Sequence, residues 1–257
     1  MNDTIDLRIS GCSAMAGGEY GKVHISGSGQ INGNLKCDSL HCSGAAKILG
    51  DVVTEEISCS GAVKMDGSLT CNKAMRISGS GKCTADTEVE TMSVSGSFKT
   101  EGALKAKEIK VSGSLSVEKS IQCEQLKVSG KLHVNEGVEA EMVCLSGSTE
   151  ITGLLNAEEI EIDNSGVSRI GDIGCTTIRV RLHEEKTSWF GIFSNRRNRP
   201  SLEVGTIEGD QVELIKTRAK VVRGRDVVIG PGCIIDRVEY TNSCQAEEGT
   251  VKEQVKA

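Results

Sequence analysis

Apolar residues return along this chain at a fixed distance, with polar residues between them. Counted from the glycine of a recurring Ser-Gly pair, the fourth residue is Ile31, Ile48, Met65, Cys83, Val117, Val134 or Ile151, with Thr100 the one polar occupant. The thirteenth and fifteenth residues form pairs such as Leu40-x-Cys42, Ile57-x-Cys59, Ile109-x-Val111 and Leu126-x-Val128. The glycines Gly27, Gly44, Gly61, Gly79, Gly96, Gly113, Gly130 and Gly147 keep a 17-residue period, with one step, from Gly61 to Gly79, longer by a single residue. Alternation with period two predicts strands, and no window keeps the spacing of an amphipathic helix. An internal repeat of this length overrides any reading of isolated segments.

A unit this short cannot hold its strands and a crossover helix as well, since such a connection alone takes about a dozen residues or more. Each turn must therefore lay its strands on the matching strands of the turn before, giving parallel sheets with a spacing of about 4.8 Å and ladders of equivalent side chains. The expected fold is an all-β parallel β-helix, a solenoid. The Ser-Gly pair reads as a corner, with the glycine supplying a conformation strained for other residues and the serine supplying a hydroxyl ladder. A phosphate-binding loop would need to lead into a helix N-terminus, which the pattern does not offer.

The ends and interruptions follow from the same count. Ile5, Leu7 and Ile9, followed by Ser10-Gly11, fit a slightly short first turn. The array is expected over 1–182, with Asp163-Asn164 standing where Ser-Gly would fall. Residues 183–200 interrupt it with Trp189, Phe190, Ile192 and Phe193, then Arg196, Arg197 and Arg199. Because the step from Ile178 to Leu202 exceeds one turn only slightly, the interruption reads as an insertion of about seven residues within one turn. Coils are expected again over 201–241, where Val204, Val221 and Val238 keep the regular spacing, and 242–257 reads as a flexible charged tail.

Composition narrows the function. Aromatics make up 2% of the chain, which suits a narrow aliphatic interior, and a formal charge of −6 argues against a nucleic-acid partner. No apolar run near the N-terminus resembles a signal peptide, so a cytoplasmic location is expected. Eleven cysteines suggest metal or disulfide chemistry until they are placed on the repeat. Cys37, Cys71 and Cys123 share one column and Cys42 and Cys59 another, core columns also filled by Val, Ile, Leu and Ala, so they read as small buried hydrophobes in a reducing compartment. His24 and His41 fall one repeat apart on the outward side, where other turns carry Lys110 and Lys127, and His133 and His183 lie elsewhere. Carboxylates scatter over outward columns. No catalytic residue, cofactor or metal site is expected. Val228-Ile229-Gly230-Pro231-Gly232 looks locally like a hexapeptide acyltransferase motif, but the short register is not sustained.

The 17-residue Ser-Gly coil, together with the closing stretch from Val221 to Ile235, resembles the bactofilins, polymer-forming cytoskeletal proteins of bacteria. That resemblance implies a right-handed β-helix that assembles end to end without nucleotide, about twofold axes, and scaffolds cell-shape, envelope or motility machinery. It also implies itself as partner, with a paralogue as a further candidate. The interface candidates are Ile5, Leu7 and Ile9 at one end and Ile234, Ile235, Val238 and Tyr240 at the other. The array is longer than the usual core and lacks the short hydrophobic N-terminal peptide of many members. The aromatic and basic loop is expected to supply a peripheral contact with the inner face of the membrane or with a partner, or else to cover a seam of the coil. The alternatives are a β-helical acyltransferase-type enzyme and a non-polymerising adaptor.

Overall fold

The computed structural model describes residues 4–163, 166–181 and 200–257. They contain strands, turns and bends but no helix, and the register of their paired strands is parallel throughout. The chain divides into two compact units, one comprising residues 1–126 and 130–135, the other 127–129 and 136–257. Each is a β-solenoid.

In the first unit the repeat sets the register directly. Leu104–Val111 pairs with Thr87–Val94 so that Ile109 faces Met92 and Val111 faces Val94, one repeat back. A second, shorter strand per turn does the same: Ser114–Val117 pairs with Ser97–Thr100, placing Val117 on Thr100. The three apolar columns expected from the sequence are all interior, Ile31, Ile48, Met65, Ile109 and Val94 being fully buried. Thr100 is buried among them and is fully engaged: its hydroxyl donates to Ala85 O at 2.8 Å and accepts from Thr87 Oγ1 at 3.2 Å. A polar group can occupy this interior because those bonds offset its desolvation.

Two further interior columns emerge. Leu35, Val52, Leu69, Leu104 and Ile121 stack eight residues after the glycine, and Val63, Phe98, Leu115 and Leu132 two residues after it. Phe98, fully buried, faces Gly81 in the adjoining turn; a Cβ there would lie 2.7 Å from the ring. The narrow core thus accepts an aromatic where its neighbour has no side chain.

The Ser-Gly glycines do not have the conformational role expected of them. Positive φ occurs at Gly18, Gly33, Gly232 and Gly249, none of them in a Ser-Gly pair. What excludes a side chain at Gly113 is proximity, since a Cβ would sit 2.0 Å from Gly96 O in the turn beneath. The corner backbones of successive turns pack directly on one another.

The second corner is held by side chains reaching across turns. Asp51 Oδ1 accepts from Ser68 N at 2.8 Å and from the Ser68 hydroxyl at 2.7 Å, Asp86 Oδ1 accepts from Ala103 N at 2.8 Å, and Asn34 Oδ1 accepts from Asp51 N at 3.0 Å. The second unit repeats the device, with Asp172 Oδ1 accepting from Thr206 N at 2.7 Å.

That second unit departs from the uniform period. Val138–Leu145 pairs with Ser148–Asp163 at the regular interval, Val143 facing Ile160. Leu202–Leu214 pairs with Thr217–Ile229 at an interval shorter by two, Val212 facing Val227, and Arg218 faces Ile234 at an interval shorter by one. The regular spacing of Val204, Val221 and Val238 is therefore not the structural one. Val204 faces Ala219, and Val222, not Val221, faces Val238. Tight corners account for the shorter turns: Lys216 has φ 47° and Gly232 φ 73°. The insertion is also longer than expected, because Ser168 faces Leu202 at twice the regular interval, so it adds one whole turn's worth of chain rather than a fraction of one.

The expected flexible tail is likewise corrected. Ile234–Ala246 and Val251–Lys256 are strands, and Ile235, Val238 and Tyr240 face Val251, Gln254 and Lys256. Residues 242–257 complete one more turn, with Val251 set on buried Ile235 and Gln254 on buried Val238.

Candidate functional site

The interface candidates named from the sequence separate by burial. Ile5 is 76% exposed and Ile234 41%, and Tyr240 is half-buried. Leu7, Ile9, Ile235 and Val238 point into the interior of their own units. The first strand, Leu7–Ile9, faces Val23, His24 and Ile25 on one side, and among the described residues no strand lies in register on its other side. Among the described residues Val251–Lys256 is likewise placed against Ile234–Ala246 alone. Among those residues each is thus an edge strand. Trp189, Phe190, Ile192, Phe193, Arg196, Arg197 and Arg199 lie outside the described residues.

The outward columns are ladders of charge. Lys47, Lys64, Lys82 and Lys99 stand in register on four successive turns. Their partners are carboxylates on the same or the adjoining turn: Asp66 is 2.6 Å from Lys64 and 3.9 Å from Lys47, Glu101 2.7 Å from Lys82 and Glu118 2.5 Å from Lys99. Lys64 holds the Asp66 carboxyl below its ordinary value and Lys99 does the same to Glu118. The imidazoles of His24 and His41 stack outside the sheet, 4.7 Å between centroids and 13° between planes.

A groove of about 620 Å³ lies on the second unit. Its floor is Gly209 and Gly224, which face each other in register, and its walls include Glu208, Arg223, Arg225 and Glu239. Arg223 Nε donates to Glu239 Oε2 at 2.8 Å, and Arg225 Nε to Asp226 Oδ2 at 3.1 Å. These arginines are engaged by carboxylates along the ladder and not aimed at a common point. Among the described residues there is also no group of three or more His, Cys, Asp or Glu placed to hold a metal ion.

All eleven cysteines are free thiols. Cys37, Cys42, Cys59, Cys71, Cys83, Cys123 and Cys233 are buried, as expected for small hydrophobes. Burial pushes the Cys123 thiol up to about 12 and that of Cys71 up to about 11, so both remain protonated. Cys12 is exposed and Cys144, Cys175 and Cys244 are half-buried, outside the fully buried columns.

In-register stacks with paired outer charges and closely packed corners define a parallel β-solenoid. Within this class, a family model described as "Bactofilin: Polymer-forming cytoskeletal" matches residues 7–105 and 46–135. The chain belongs to the bactofilin family. It is also similar to two proteins of Bacillus subtilis (strain 168). The uncharacterized protein YhbF is 41% identical over 106 residues, 40% of this chain and 42% of that protein. The uncharacterized protein YhbE is 38% identical over 91 residues, 35% of this chain and 37% of that protein. The chain thus spans less than half the length of either relative. No solved structure matches it. The matched segments end at residue 135, so the closing stretch from Val221 to Ile235 lies beyond them. No helix among the described residues is long and apolar enough to cross a membrane.

Proposed function

We infer that the protein is a cytoskeletal scaffold that polymerises through its terminal strand edges without nucleotide and positions cell-envelope, cell-shape or motility proteins on the cytoplasmic side of the membrane. The family supports polymer formation, and the observation that carries the mode of assembly is the pair of single-sided strands, Leu7–Ile9 and Val251–Lys256. An unpaired edge adds a strand from another molecule unless it is blocked. Backbone pairing of this kind needs no bound nucleotide, because the hydrogen bonds and the stacked apolar columns are supplied by the chains themselves.

Electron microscopy and sedimentation of purified protein in nucleotide-free buffer test this reading. Filaments that pellet equally with and without added nucleotide are expected. Ile5→Arg is the sharper probe, because Ile5 is 76% exposed and contributes little to folding. It should leave the melting temperature unchanged and reduce the pelleted fraction. Uniform short particles for the wild-type protein in both buffers would refute polymerisation through the edges.

A further inference from the structure

The column that holds Ile25, Ile77, Val94 and Val111 in other turns holds two cysteines in succession, Cys42 and Cys59. They face each other across adjoining parallel strands, Ser28–Cys42 and Val52–Cys59. Among the described residues no other cysteine faces a cysteine in register. Both are free and 1% exposed, and both side chains point into the same interior column. In-register residues on neighbouring strands have Cα atoms about 4.8 Å apart, which lies inside the span of roughly 4.4–6.8 Å that a disulfide bridges.

We propose that Cys42 and Cys59 are a redox-sensitive dithiol that a hydroperoxide converts to an inter-turn disulfide, stapling two successive turns of the first unit. Each thiol is also directed at backbone oxygens of its own or the following turn. Cys42 Sγ lies 3.5 Å from Gly44 O and 3.4 Å from Ala62 O, and Cys59 Sγ lies 3.8 Å from Ser80 O. A hydrogen bond from Cys59 lowers the Cys42 thiol below its ordinary value, while the same contact and burial push Cys59 up. Either cysteine can supply the attacking thiolate, and the other then resolves.

The thiolate of one of the pair attacks the O–O bond of the hydroperoxide, giving a sulfenic acid and releasing an alcohol, or water from hydrogen peroxide. The sulfur of the other cysteine then displaces hydroxide from the sulfenic sulfur; the S–S bond forms, and the hydroxide leaves as water with the proton of the second thiol. Two thiols are oxidised, one peroxide is reduced, and no other reagent is needed. Because both sulfurs are buried, the first step waits on local opening of the turn. Oxidation is thus slow in the closed coil, and the product opposes reopening.

Intact protein carrying Cys12→Ser, which removes the exposed thiol, is treated with hydrogen peroxide, once in buffer and once at a urea concentration below the unfolding transition. It is then alkylated and digested without reductant. The expected result is a cross-linked pair joining the tryptic peptides 37–47 and 48–64, with fragmentation placing the bond on Cys42 rather than on Cys37. The cross-link forms faster in urea, and the melting temperature rises in a way that reductant reverses. Cys42→Ala and Cys59→Ala should each abolish both the cross-link and the rise. Recovery of both residues as alkylated thiols under both conditions, or a bond between other cysteines, overturns the proposal, and this readout is made on protein that retains both cysteines, so it does not depend on how the alanine variants fold.

Discussion

At the scale of a residue, the most demanding positions are those where turns touch backbone to backbone. A Cβ at Gly113 would lie 2.0 Å from Gly96 O, whereas one at Gly11 would have nothing within 4 Å. Gly113→Ala should therefore lower stability by roughly 1–3 kcal/mol or more through overpacking, and Gly11→Ala should stay within about 0.5 kcal/mol of wild type. Chemical denaturation of the two variants compares them directly; equal midpoints would remove the close approach as the reason for glycine. Val111 and Lys110 make a second contrast, because Val111 is 2% exposed and Lys110 faces solvent beside Glu108 at 2.8 Å. Val111→Asp buries an unpaired carboxylate and should abolish cooperative folding. Lys110→Asp should cost only a surface ion pair, about 1 kcal/mol or less.

At the scale of an element, each turn depends on its neighbours for the bonds that its own strands cannot make. Asp86 spans one such junction through its bond to Ala103 N. Asp86→Ala should cost roughly 0.5–1.5 kcal/mol, and Asp86→Asn should recover most of it, since the amide oxygen can still accept. The last turn makes the same point in reverse. Because Val251–Lys256 packs on Ile234–Ala246, Val238 is fully buried. Val238→Arg should thus act on folding, lowering the melting temperature by burying a charge, and not selectively on assembly. A variant with unchanged melting that no longer sediments would instead place Val238 at an intermolecular surface.

For the whole molecule, stability accumulates over many small inter-turn terms, and carboxylates contribute to them in both units. The Asp51 carboxyl is held below its ordinary value by the Ser68 hydroxyl and amide, that of Asp66 by Lys64, that of Asp226 by Ser243, Asn242 and Arg225, and that of Glu239 by Arg223. With folded values depressed, the unfolded chain takes up protons at higher pH than the folded chain does. The contribution is complete above the unfolded carboxylate range, about 3.9–4.3, and is lost as pH falls through the folded values. Melting temperature should be flat near neutrality and fall on acidification below that range. Added salt should shrink the part due to Lys64 and Arg223, which is screened, and spare the part due to the Ser68 bonds at Asp51. A melting temperature that rises on acidification would contradict the ladder assignments.

The sequence by itself determined the parallel solenoid, the interior columns through Ile109 and Val111 and the outward placement of His24 and His41, because in a stacked coil every contact repeats at one fixed offset. The columns through Leu104 and Phe98 were open to the same count, and Phe98 escaped it because its partners in other turns include glycines. The longer step from Gly61 to Gly79 could be counted, but only the tertiary structure decided where the offset shortens. The shortened turns that place Val212 on Val227 and Arg218 on Ile234 follow from corners at Lys216 and Gly232 whose backbone the sequence does not announce, and an unlucky spacing of valines imitates the longer period. The last turn was equally hidden, since polar residues 242–257 become strand only because an open edge lies beside them to receive their hydrogen bonds. The facing of Cys42 by Cys59 was written in the repeat count, but their shared burial and orientation needed the folded column. A repeat records which residues are equivalent; the packing of one turn on the next decides how closely they approach, and therefore what each must be.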